Sequence, residues 1–268
     1  MAVQGDMELT KRKEAGSRTD KMWLRRTRMF GLGTIINVAA IIAGGVIGSL
    51  FGKKLTERYQ NNLMMGAALC VLFIGVSGCM EQMLKLTENG LTSSGSMMMI
   101  ACFAVGAVLG EWIDLDTKME RFGEWLKEKT KSEGDNSFVD AFVTASLTVC
   151  IGAMAVVGSI RDGIYGDYSI LAAKAVLDMI IVAIMTASMG KGCIFSAIPV
   201  GMFQGAMTLL AKVIEPFLTD EGLADMSLTG AILIFCVGVN LIWGKKIKVA
   251  NLLPAIFLAA VWPYLPWA

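Results

Sequence analysis

Histidine is absent from all 268 residues of this chain. That removes Ser-His-Asp triads, His-ligated zinc and imidazole proton relays from consideration. With no other nucleophile–base pair or metal cluster to assemble, an enzyme is the least expected reading, and no cofactor or metal is implied. A paired-cysteine motif is missing too. Cys70, Cys79, Cys102, Cys150, Cys193 and Cys236 all fall in apolar segments, where thiols act as small packing residues. A net charge of +1, with no basic stripe among stacking aromatics, gives no hint of nucleic acid.

Charge itself is scarce. Asp, Glu, Lys and Arg make up 18% of the chain, against about 25% in soluble domains. What charge there is clusters: eight of 24 basic residues lie in the first 28 positions and five more in 114–136. Only Glu111 interrupts 89–113, and no charge occurs in 141–160 or 192–211. Hydrophobic residues make up 55%, and the mean hydropathy is +0.60. Uncharged apolar runs of about 18 residues or more mark membrane-spanning helices. The chain therefore reads as all-α, a polytopic transmembrane helical bundle in the lipid bilayer. A basic tail at 1–28, expected to be disordered, precedes a multi-span domain at 29–268.

Eight apolar segments are predicted, at roughly 33–51, 63–80, 96–113, 138–160, 169–189, 193–214, 227–243 and 250–266. The sixth holds Ser196, Pro199, Gly201 and Gly205 and reads as broken or re-entrant, a form tolerated only where freed backbone groups face protein or a cavity. The eighth carries Pro254, Pro263 and Pro266, leaving seven or eight spans. Connections after segments one, three, five and seven carry twelve basic residues, while those on the other side carry only Lys85 and Arg161. The positive-inside rule then predicts cytoplasmic loops at 53–62, 114–136 and 244–249. The basic tail votes the other way, but MFGLGTIIN at 29–37 reads like a natural beginning and 1–28 like an extension or a misassigned start.

GGVIGSLFGKKLTERY (44–59) and GAVLGEWIDLDTKMERF (106–122) resemble each other, which suggests an internal two-span repeat. Their Gly44/Gly48 and Gly106/Gly110 pairs permit close helix contact, within the protomer or in a homo-oligomer. The pieces KKLTERYQNN and DLDTKMERFGEWLKEK read as interfacial helices. Nineteen methionines, Met97, Met98 and Met99 among them, read as pliable packing, since consecutive side chains point to different helix faces.

Several strings in order carry a resemblance: GTIIN (33–37), GSIRDGIYGD (158–167), KAVLD (174–178), SAIPV (196–200) with QGAMTLLA (204–211), GVNL (238–241) and VANLLPA (249–255). Together they resemble the bacterial inner-membrane family known as domain of unknown function 554, the YqgA/YdfK-like proteins. The resemblance covers about 29–268 and implies a bacterial inner-membrane location, without a substrate. Arg161, Ala175 and Met179 depart from the glutamine, serine and glycine it leads one to expect.

Ionisable groups inside spans are candidate functional residues. Lys174 and Asp178 share a helix face at i,i+4, so each can neutralise the other. The plainer reading is a structural pair; the sharper one is a cation or proton on Asp178 with Lys174 as counter-charge. Gln204, Ser196, Asn37 and Asn240 are candidate neutral ligands. Asp140 and Thr144, with Thr148, form a polar stripe on segment four, equally readable as interhelical glue. Asp162 and Asp167 read as turn residues, and Asn251 as a helix cap. The sequence thus points to secondary transport of a small ion or polar solute through a midplane site. A channel, or a non-transporting scaffold or sensor, is the alternative.

Overall fold

A computed structural model describes residues 30–265, apart from 53, 88, 89 and 133. The predicted tail, 1–28, lies outside the described residues. The elements run α1 (Leu32–Gly52), α2 (Glu57–Met83), a hairpin of β1 (Leu84–Thr87) and β2 (Gly90–Ser93), α3 (Ser96–Ile113) and α4 (Leu115–Lys129). They continue with α5 (Phe138–Cys150), α6 (Ala153–Tyr165), α7 (Ser169–Met189) and a 3₁₀ turn at Lys191–Ser196 leading into α8 (Ala197–Ile214). The chain closes with α9 (Asp220–Trp243), α10 (Val249–Leu252) and α11 (Pro254–Val261). Six helices are long and apolar enough to cross a membrane, or seven if α5 and α6 form one bent span. Large apolar side chains such as Phe73, Met202 and Leu209 are exposed on the helix surfaces, as lipid-facing residues are.

Two predicted segments differ in form. The break falls in segment four, not segment six. The α5 ladder stops at Cys150, Ile151 is extended, and Gly152 adopts φ 147°, a region that L side chains rarely enter. The chain turns 62° between α5 and α6. In segment six, Pro199 sits in the first turn of α8, where a missing N–H is tolerated, and the helix runs unbroken past Gly201 and Gly205. Segment eight is short: Pro254 cannot donate to the ladder, so α10 ends after four residues, and α11 runs eight residues before the turn at Pro263.

Glycines set the packing. Parallel α1 and α7 approach so closely that a Cβ on Gly44 would meet the Met179 carbonyl, and one on Gly48 the Ala183 carbonyl. Gly106 and Gly110 press likewise on the Ala255 and Asn251 backbone. Both glycine faces thus make close contacts within the protomer, one of the two uses the sequence allows. The two copies of the suspected repeat also use different partners. Of the pieces expected to be interfacial, α4 packs Phe122 on Phe142, ring centroids 5.7 Å apart, while 57–62 simply begin α2.

The basic connections meet at one end. Gln60 Nε2 donates to the Gly52 carbonyl, and Ser137 Oγ to the Met189 carbonyl. Lys245, after α9, pairs with Asp116 and Glu120 of α4, and Lys248 with Glu111 at 3.3 Å.

Candidate functional site

The middle of α7 carries the charge pair. Asp178 is the tenth residue of this 21-residue helix. Lys174 Nζ lies 2.5 Å from Asp178 Oδ2, and the two side chains are 8% and 5% exposed. The same ammonium donates to the Val149 carbonyl at 2.8 Å. That carbonyl is free because α5 stops one residue later, leaving its last C=O groups without helical donors. The break therefore supplies a partially negative helix end to a buried cation. From α1, Asn37 Nδ2 donates to Asp178 Oδ2 at 3.0 Å. Three segments distant in sequence meet at this charge pair, α1 at the carboxylate and α5 at the ammonium.

A fourth joins them by register. Thr34 and Thr208 hydroxyls lie 3.5 Å apart, and a Cβ on Gly201 would touch Val38. Helices α1 and α8 are therefore antiparallel here. Gln204, one turn before Thr208, comes level with Asn37, one turn after Thr34. Gln204 is fully buried, and neither its Oε1 nor its Nε2 has a protein partner; Asn37 Oδ1 lacks one as well. Buried amides are normally hydrogen-bonded. Unpaired donor and acceptor capacity beside a charge pair suits a polar guest.

The other predicted site residues lie elsewhere. Ser196 is buried with no partner for Oγ, but it sits eight residues before Gln204, about 12 Å along a helix axis. Asp140, Thr144 and Asn240 border a separate cavity of about 300 Å³ at the basic end, together with Asp116, Glu120 and Lys245. The polar stripe is largely self-satisfied: Thr148 Oγ1 donates to the Thr144 carbonyl and Ser146 Oγ to that of Phe142. Asn240 is a loop clamp, accepting from Lys246 and Ile247 N–H and donating to the Ile247 carbonyl. It therefore lies apart from the Lys174–Asp178 pair.

Sequence reasoning missed two roles. Asp162, read as a turn residue, lies in α6, fully buried, where its Oδ2 accepts the Gly33 N–H at 3.0 Å and caps the start of α1. Asn251, read as capping its own helix, accepts the Asp116 N–H at 2.7 Å and caps α4 instead. Each cap joins residues more than 120 positions apart, so no local pattern could reveal it. Arg161 stays on the surface, paired with Asp167 at 2.9 Å.

Comparison with known proteins fits this architecture. Residues 32–264 match the family described as "Protein of unknown function (DUF554)". The chain belongs to this family. It is 29% identical over 229 residues to the "Uncharacterized membrane protein YdfK" of Bacillus subtilis, covering 85% of this chain and 94% of that protein. It is 28% identical over 232 residues to the "Uncharacterized protein YqgA" of Escherichia coli, again covering 85% and 94%. No solved structure matches. The DUF554 match begins at the first residue of α1 and runs through the final 3₁₀ turn at Trp262–Tyr264, so every helix that builds the charge-pair site belongs to the family's common body.

Proposed function

We propose that this DUF554 member is a secondary transporter of a small polar solute or ion, with Asp178 and Lys174 at its binding site. The observation that carries the reading is the Lys174–Asp178 pair, buried at mid-span against the open end of a broken helix. Broken helices whose free termini face buried charge are how transporters build midplane sites. Buried ionisable groups are costly to keep in a membrane for packing alone.

A scaffold would pair its intramembrane polar groups internally; the unpartnered Gln204 amide and Asn37 carbonyl favour a guest instead. The neutralised pair and tight helix packing favour alternating access over an open pore. The gathering of the basic connections at one end supports cytoplasmic loops at 53–62, 114–136 and 244–249 in a bacterial cytoplasmic membrane.

Thermal unfolding in detergent tests this across alkali cations, amino acids and organic acids, with wild type beside Asp178→Asn. A ligand at a hundred times its Kd stabilises the folded state by about 2.7 kcal/mol. A stabilising shift that Asp178→Asn abolishes supports the reading. If nothing shifts the wild type and Asp178→Asn merely destabilises it, the pair is structural.

A further inference from the structure

We infer that the solute is a zwitterion with an apolar side chain, of the amino-acid class; this rests on the transporter reading above. The argument begins with charge balance. Lys174 and Asp178 are both buried, and among the described residues their partners besides each other are neutral: the Val149 carbonyl and the Asn37 amide. A lone cation on Asp178 displaces the ammonium and strands a buried positive charge. A lone anion on Lys174 strands the carboxylate. Either outcome leaves an uncompensated ion at low dielectric, the arrangement proteins tolerate least. A neutral polar solute has no reason to part the pair. A zwitterion exchanges the internal ion pair for two external ones, with every charge matched.

The neutral groups suit the same guest. The free Asn37 Oδ1 and Gln204 Oε1 accept from an ammonium, and Gln204 Nε2 donates to a carboxylate.

Shape supplies the third observation. A second cavity of about 220 Å³, with an almost wholly apolar lining, adjoins the helix break and is bordered by Cys150, Ile151, Gly152, Val156, Phe203 and Met207. Cys150 and Phe203 are the immediate chain neighbours of Val149 and Gln204. The cavity lining thus comes within one residue of the charge-pair cluster on two different helices, α5 and α8, without including Lys174, Asp178, Asn37 or Gln204. Gly152 borders it without a side chain, and a Cβ built there would meet nothing. In the inferred complex the solute's charged poles face the pair and its apolar body extends past Cys150 and Phe203 toward this cavity.

The test is a ligand series on the wild-type protein in detergent: L-leucine, 3-methylbutylamine (the ammonium alone), 4-methylpentanoate (the carboxylate alone), sodium chloride and potassium chloride. L-Leucine is expected to raise the melting temperature by about 5 °C at saturating concentration, with neither single-charge analogue doing so. Ser146→Leu, which fills the apolar cavity, should weaken the response to leucine while sparing that to alanine. A shift by the amine or a salt without one by leucine overturns the zwitterion and leaves the transporter reading standing. Equal shifts from leucine and from one analogue overturn it as well. No shift from any probe or from the broader panel, with Asp178→Asn merely destabilising, removes both.

Discussion

Asn37 of α1 and Lys174 of Asp178's own helix α7 donate to the same oxygen, Oδ2 of Asp178, at 3.0 and 2.5 Å. One carboxylate oxygen thereby ties α1 to α7 and, through the lysine, to the open end of α5. Under the proposed function, a guest that takes Asp178 displaces both donors and so couples binding to the contact between α1 and α7.

The pair should behave as a unit. Lys174→Met and Asp178→Leu each leave one buried charge unmatched and are expected to cost about 3–5 kcal/mol. The double variant removes both charges and should recover most of that stability while losing ligand response. Thermal unfolding of all four proteins forms the double-mutant cycle; additive losses would contradict the coupling.

Glycine contacts offer a contrast that needs no ligand. Gly44→Ala and Gly48→Ala drive a methyl into carbonyls of α7, and overpacking of this kind costs about 1–3 kcal/mol. Gly66, within α2, has open space around its would-be Cβ. Gly66→Ala is expected to leave stability unchanged or raise it by up to about 1 kcal/mol. Equal melting temperatures for Gly44→Ala and Gly66→Ala would contradict the close α1–α7 approach.

The long-range cap predicts a graded series. Asp162→Ala strands the Gly33 N–H and should lower stability by about 1–3 kcal/mol. Asp162→Asn keeps an acceptor oxygen and should lose less. Hydrogen exchange at the first turn of α1 would quicken more in the alanine variant than in the asparagine one.

The clamp at the basic end carries a pH signature. Partial burial pulls the Lys245 pKa down, but hydrogen bonds from its ammonium to Asp116 and Glu120 outweigh this, so it lies above the ordinary lysine value. A raised folded-state pKa means the contribution is fully present below the unfolded value of about 10.4 and fades as pH rises through the folded one. The opposite case is Asp167, held below the usual carboxylate range by the Ser169 hydroxyl and N–H and by Arg161. Its contribution persists to acid pH and is lost only as pH falls through that lowered value. Melting temperature should therefore decline more steeply above about pH 10 in wild type than in Lys245→Met. Parallel curves would contradict the clamp.

Much of this architecture is legible in the residues alone. Uncharged runs reveal the spans because lipid forbids isolated charge, and i,i+4 spacing puts Lys174 and Asp178 together on any helix. Asn37 hydrogen-bonds to Asp178, yet nothing in the sequence distinguishes it from Asn240, whose amide holds a loop. That difference lies in tertiary register. The break was misplaced for a related reason. Pro199 and Gly201 look like helix breakers, but a proline in a first turn is harmless. Gly152 breaks its helix because its backbone takes a positive φ, which its neighbours Ile151 and Ala153 do not advertise.

Alternating access, as proposed, requires the buried cluster around Asp178 to open in turn to each side of the membrane. A direct measurement places a single cysteine at Gln204, with the six native cysteines replaced by alanine, and follows its modification in proteoliposomes by a membrane-impermeant thiol reagent. Reagent is added outside or trapped inside, with a quencher on the opposite face. Reaction is expected from both faces, slowed when a bound solute holds one state. A thiol that stays unreactive from both sides in folded protein would contradict it, leaving the Lys174–Asp178 pair as part of a closed scaffold.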